Sequence, residues 1–247
     1  MASERKHLLY HVLKAISNSP APVGSGFVRE ELKLKGYDIS EATVGRILRE
    51  MDAEGYTERV GFKGRVLTSY GVEKLRELEH DRQINHYGNE LINAIKATGR
   101  KNFIDILIAR KVIESQLARL AAENITQKEL GEMEEVIKSQ RIHVEKGISI
   151  AEDDIKFHKL IAQAAKNRVL DAAMDLIRHY GQLSPALEYI RKRVKSKVLL
   201  DHEKIYEAIA SRNPDKAEEA MVKHIENLIA DVNKYWNMVY KSEDAPM

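Results

Sequence analysis

No cysteine occurs in the 247 residues, which excludes disulfides, thiolate zinc sites and cysteine nucleophiles together. Any metal site has to be built from His, Asp and Glu. No apolar run approaches the roughly 18 residues needed to span a bilayer. The opening, MASERKHLLYHVLKAI, places charge before apolar residues, yet His11 and Lys14 interrupt the apolar part. It therefore reads poorly as a signal peptide, and a cytoplasmic protein with no membrane partner is expected. The formal net charge of +2 is too small to argue nucleic-acid binding by itself, so a local basic surface must do so. GFKGR has two glycines without the phosphate-loop pattern, and there is no nucleophile elbow. What is present is 43% hydrophobic and 32% charged residues. That composition supports a packed core rather than disorder, and the length suits one large domain or two ordinary ones.

Residues 1 to about 70 alternate short helices with turns. A first helix over 5–17 turns Leu8, Leu9, Val12, Leu13 and Ile16 inward. NSPAPVGSG is a loop, FVREELKLK a second helix stopped by Gly36. Ser40 caps a third helix, EATVGRILREMDAEG, which buries Val44, Ile47, Leu48 and Met51 and ends at Gly55. Two short strands, 56–60 and 65–68, follow around Gly61–Gly64. Three helices and a hairpin make a winged helix-turn-helix. The apolar stripe of the third helix leaves Ala42, Thr43, Gly45, Arg46 and Arg49 outward, beside Ser40. Short polar residues and Arg near a helix N-terminus are what base edges require. Lys63 and Arg65 lie on the wing, within reach of phosphates. A solvated basic face is the competing explanation.

Beyond residue 69 every segment reads as helix: a charged connecting helix, broken near Gly88, then 101–123, 126–146, 149–166, 168–192 with Pro185 as kink or split, 194–211 and 214–240. Thr126 and Glu129 have capping-box spacing. Within 149–166 the residues Ile150, Asp154, Phe157, His158, Ile161 and Ala165 share one face. His202 falls on the stripe Val198, Ile205, Ile209, and His224 on Ala217, Met221, Leu228. A carboxylate and three imidazoles thus occupy core-facing positions, where they cost several kcal/mol unless satisfied. One such histidine is usually a hydrogen-bonded core residue. Three of them with an aspartate suit a borderline divalent ion, zinc or nickel, with coordination positions left open. Arg110 also sits in an apolar stripe, with Phe103, Leu107, Ile113 and Leu117, and needs an anion. That anion is either an effector's acidic group or an internal partner, Glu114 or Asp154. Tyr180 is a candidate for lining the same cavity.

TVGRILREMDAEGYTERVGFKGRVLT resembles the winged-helix domains at the front of certain archaeal and bacterial repressors and of ribonuclease R, and not the usual GntR type. RKVIESQLARLAAENIT, DIKFHKLIAQAAKN and DHEKIYEAIASRNPDKAEEAMVKHI together resemble the FCD-type effector domain of the FadR branch of GntR regulators. That resemblance implies an antiparallel all-α bundle over 100–240; with the winged helix-turn-helix of 1–70 and the connecting helix 71–99, the protein is expected to be mainly α. The resemblance further implies metal ligation by Asp154, His158, His202 and His224, a small anionic effector beside the metal, a homodimer, and a double-stranded DNA operator. Effector binding would then shift the dimer between arrangements and change the spacing of two winged helices. A metal-dependent enzyme and an interaction module with purely structural histidines are the alternatives.

Overall fold

The computed structural model describes residues 2–96, 99–181, 183–196 and 198–243, with the side chains of 2–3, 180–185 and 240–243 outside that description. The chain divides into two compact units, Met1–Asn89 and Glu90–Met247.

In the first unit, α1 (Ala2–Ser17), α2 (Ser25–Leu34) and α3 (Glu41–Ala53) precede a hairpin of β1 (Thr57–Arg59) and β2 (Arg65–Leu67). The strands are antiparallel, Thr57 opposite Leu67 and Arg59 opposite Arg65. Val12, Leu13, Val28, Leu32, Val44 and Leu48 are wholly buried in one cluster, the faces that helical spacing predicts. Ile47 is only half-buried. Ser40 caps α3 by accepting from the Thr43 amide at 3.2 Å, which satisfies one of the orphan donors at the helix start.

Two glycines are dictated by close packing. Gly64 has φ +129°, and a Cβ there would come 2.5 Å from the Val23 carbonyl, because Val23 and Arg65 exchange both backbone hydrogen bonds at 2.9 Å. A Cβ at Gly71 would lie 2.0 Å from the Tyr56 carbonyl oxygen, so only glycine fits the first turn of α4 (Ser69–Lys96). That helix runs unbroken through Gly88, contrary to the break expected there. Gly88 has open space around it, and an isolated glycine costs a helix only about 1 kcal/mol.

The second unit is helical throughout its described residues: α5 (Arg100–Asn124), α6 (Gln127–Glu145), α7 (Ala151–Ala164), α8 (Arg168–Gly181), α9 (Leu183–Val194), α10 (Val198–Ala210) and α11 (Pro214–Glu243). α11 packs along α5 and α10, and α7 against α5 and α6. The capping box at Thr126 is present, its hydroxyl accepting from the Glu129 amide while the Glu129 side chain accepts from the Thr126 amide. The segment 168–192, expected to be kinked or split at Pro185, is two helices, α8 ending at Gly181 and α9 beginning at Leu183. Position 185 falls in the first turn of α9, where the amide that proline lacks has no helical partner to lose. α10 begins at Val198 rather than 194.

Candidate functional site

All seven helices of the second unit deliver polar side chains to one interior point. From α5 come Arg110 and Glu114, from α6 Gln140, from α7 Asp154 and His158, from α8 Arg178, from α9 Arg191, from α10 His202 and from α11 His224. Gln140, His202 and His224 are fully shielded from solvent, and Arg110, Glu114, Asp154, His158 and Arg191 are buried. Helical spacing sets this up: Asp154 and His158 are one turn apart on the face of α7 that also buries Phe157 and Ile161.

The three imidazoles meet. Their rings are 4.8–5.3 Å apart, centre to centre, and one nitrogen of each lies within 4.8 Å of the others. Asp154 joins them through Oδ1, 3.5 Å from His202 Nε2 and 4.0 Å from His158 Nε2. The four residues singled out by spacing therefore converge. Around them stands a ring of orienting contacts. His202 Nδ1 donates to Gln140 Oε1 at 2.9 Å, which fixes the tautomer and leaves Nε2 with a free lone pair. Phe157 stacks on the same ring at 4.7 Å. Glu114 Oε2 lies 2.5 Å from His158 Nδ1, and Asp201 Oδ2 3.8 Å from His224 Nδ1. A carboxylate or amide behind each imidazole is the arrangement that presents the opposite nitrogen to a metal.

The electrostatics agree. Burial pushes His224 down to about 4, with Asp201 only partly opposing it. Burial, then the neighbouring His224, pushes His202 well below its ordinary value. Both are neutral at pH 7, the form that binds metal. For Asp154, burial works against ionisation, but Arg191, then His158, His202 and Arg110, outweigh it and hold the carboxyl well below the usual range. Glu114 is likewise held down against burial by Arg110, His158 and Arg178. Nitrogens of all three imidazoles are buried with no hydrogen-bond partner, among them Nε2 of each. Such groups cost about 1–3 kcal/mol apiece when left unmet. A site with this donor set, three imidazoles and one carboxylate, fits a divalent ion of borderline softness.

Arg110 does not stand free. Its Nε donates to Glu114 Oε1 at 2.6 Å, so of the two roles expected for it the geometry supports the internal ion pair. Tyr180 has its side chain outside the described residues. His143 is partly shielded and pairs with Asp153 at 2.6 Å. Gln140, Arg178 and Arg191 escaped notice in the sequence, although Gln140 completes the stripe Met133, Val136, Ile137 on α6.

In the first unit, Ser40, Ala42, Arg46 and Arg49 are exposed along the start of α3, Thr43 is partly covered, and Lys63 is exposed on the hairpin turn. Arg65 differs from expectation. Its Nε sits 2.9 Å from both oxygens of Asp52, and its side chain is only 11% exposed. Asp52 also accepts from Thr57 Oγ1 at 2.6 Å. Arg65 is thus a strut between the hairpin and α3 rather than a free cation on the wing.

The FCD domain family matches residues 105–227, and the ribonuclease R winged-helix domain family matches residues 10–75. LutR, an HTH-type transcriptional regulator of Bacillus subtilis, is 22% identical over 218 residues, covering 86% of this chain and 94% of LutR. The Exu regulon transcriptional regulator of Escherichia coli K12 is 24% identical over 228 residues, 89% of this chain and 82% of the relative. Over residues 105–227, just under half its length, the chain is similar to FCD domains, and both relatives aligned over most of this chain are transcriptional regulators. The FCD match spans the helices that carry every ligand candidate, from Arg110 to His224. The global nitrogen regulator NrpR of Methanocaldococcus jannaschii is 33% identical over 99 residues, 40% of this chain but only 18% of NrpR. The chain therefore spans less than a fifth of that relative.

Among the described residues, no helix is long and apolar enough to cross a membrane.

Proposed function

We propose that this FCD-domain protein is a ligand-responsive, DNA-binding transcriptional regulator. Its C-terminal unit senses a small organic anion at a divalent ion, zinc or nickel, held by Asp154, His158, His202 and His224. The observation that carries the reading is the meeting of three buried, unpartnered imidazole nitrogens beside an ionised carboxylate. The ion would supply positive charge and open positions for an anion. The chain's own residues orient the imidazoles through Gln140, Glu114 and Asp201, and exclude water by burial. A double-stranded operator would be read by Ala42, Thr43, Arg46 and Arg49, with Lys63 on phosphate. A homodimer would read two half-sites, and the reading places the protein in the cytoplasm.

The test uses the full chain, stripped with chelator and dialysed against zinc or nickel. One ion per chain is expected, falling steeply in His158→Ala. No retained ion in the wild type, or a full complement in the variant, would refute the metal site. In gel shifts against DNA upstream of the protein's own gene, Arg46→Ala should weaken binding while leaving metal content unchanged. Loss of both together would contradict the division of labour between the two units.

A further inference from the structure

The buried polar cluster holds a surplus of donors that the metal ligands do not use. Arg191 is buried, 7% exposed, and gives only Nη1 to Asp154 Oδ1, at 3.1 Å. Its Nε and Nη2 have no partner. Those two nitrogens form the side-on edge of a guanidinium, two parallel N–H groups at the spacing of a carboxylate's oxygens. Arg178 gives Nη2 to the His158 carbonyl at 3.2 Å, while its Nη1 is buried and unpartnered; Gln140 Nε2 is in the same state.

Nearby acceptors are already engaged. Glu114 faces Arg110 and His158, Asp201 accepts from Asn227, and Glu188 holds Lys192 and Ser149. The charges tell the same story. Arg110, Arg178 and Arg191 stand against Glu114, Asp154, Asp201 and Glu188, so a divalent ion would add positive charge that an anion can balance. A single carboxylate bound at the ion would leave the Arg191 edge empty. Asp154 Oδ1 touches both Arg191 Nη1 and His202 Nε2, which puts the guanidinium group beside the triad.

We propose that the effector is a small dicarboxylate dianion. One carboxylate faces the imidazole cluster. The other is clamped by the Nε–Nη2 edge of Arg191, assisted by Arg178. This rests on the effector reading above and narrows it to a chemical class, with Arg191 as the residue that separates dianions from monoanions.

Titration calorimetry of the zinc-loaded full chain tests it, with malonate, succinate and glutarate set against propionate and butyrate. At least one dicarboxylate should bind about ten-fold or more tighter than its matched monocarboxylate, the value of a charged bidentate contact. In Arg191→Lys, which keeps the charge beside Asp154 but loses the fork, the ratio should fall to about three-fold or less, with zinc content and the far-ultraviolet spectrum unchanged. Wild-type protein that holds zinc yet shows no preference, or an Arg191→Lys variant that keeps it, overturns the dicarboxylate assignment and leaves the metal site standing. Preference without zinc retention supports the Arg191 clamp and removes the metal. Absence of both zinc and dicarboxylate binding overturns the two together.

Discussion

Acid should destabilise the helical unit through its buried histidines. His224 titrates at about 4 when folded, against an ordinary 6.5. Between those values the unfolded chain binds the proton and the folded chain does not, so stability rises with pH across this window. The contribution is complete above 6.5 and is lost as pH falls toward 4. Taking the two values at face, acidifying metal-free protein from pH 7 to pH 5 costs about 2 kcal/mol at His224 alone. His202, pushed down in the same direction, adds to it. A unit of this size shifts by about 2–4 °C per kcal/mol, so the melting temperature should drop by about 4–8 °C or more. The assay is calorimetry in chelator at the two pH values, on wild type and on His224→Gln, whose side chain cannot be protonated. The variant should lose less on acidification, by about the His224 share. An equal fall in both proteins would show that burial does not hold His224 neutral.

Three further outcomes are expected. Gly71→Ala drives a Cβ into the Tyr56 carbonyl, 2.0 Å away, where no side chain can yield, and should destabilise the first unit by about 2–3 kcal/mol in urea melts. Thr126→Ala removes the capping box of α6 and should cost about 1 kcal/mol, read the same way. Glu114→Gln keeps the size of the side chain but loses the charge facing His158 Nδ1; zinc affinity by competition with a chromophoric chelator should fall about 10- to 100-fold.

Much of the site was legible because a polar residue within an apolar helical stripe is conspicuous. Asp154, His158, His202 and His224 each interrupt such a stripe, and the four are buried together. Arg191 carries the same mark, between Leu187, Ile190 and Val194, which are all buried. It was overlooked because Arg191, Lys192 and Arg193 together read as a solvated basic helix end. Gln140 was missed because an amide draws less notice than a charge. The winged helix was legible from its turn residues and caps. The Asp52–Arg65 pair was not, since nothing local to either residue indicates that the hairpin folds back onto α3.

Asp52 has a consequence for how an operator would be met. By holding Thr57 and Arg65 together with the body of α3, it makes the reading helix and the hairpin behave as a single stiff stamp. Neither part can readjust alone to an awkward groove. The duplex has to do the bending, so sites built on easily deformed base steps should be favoured even at positions no side chain touches.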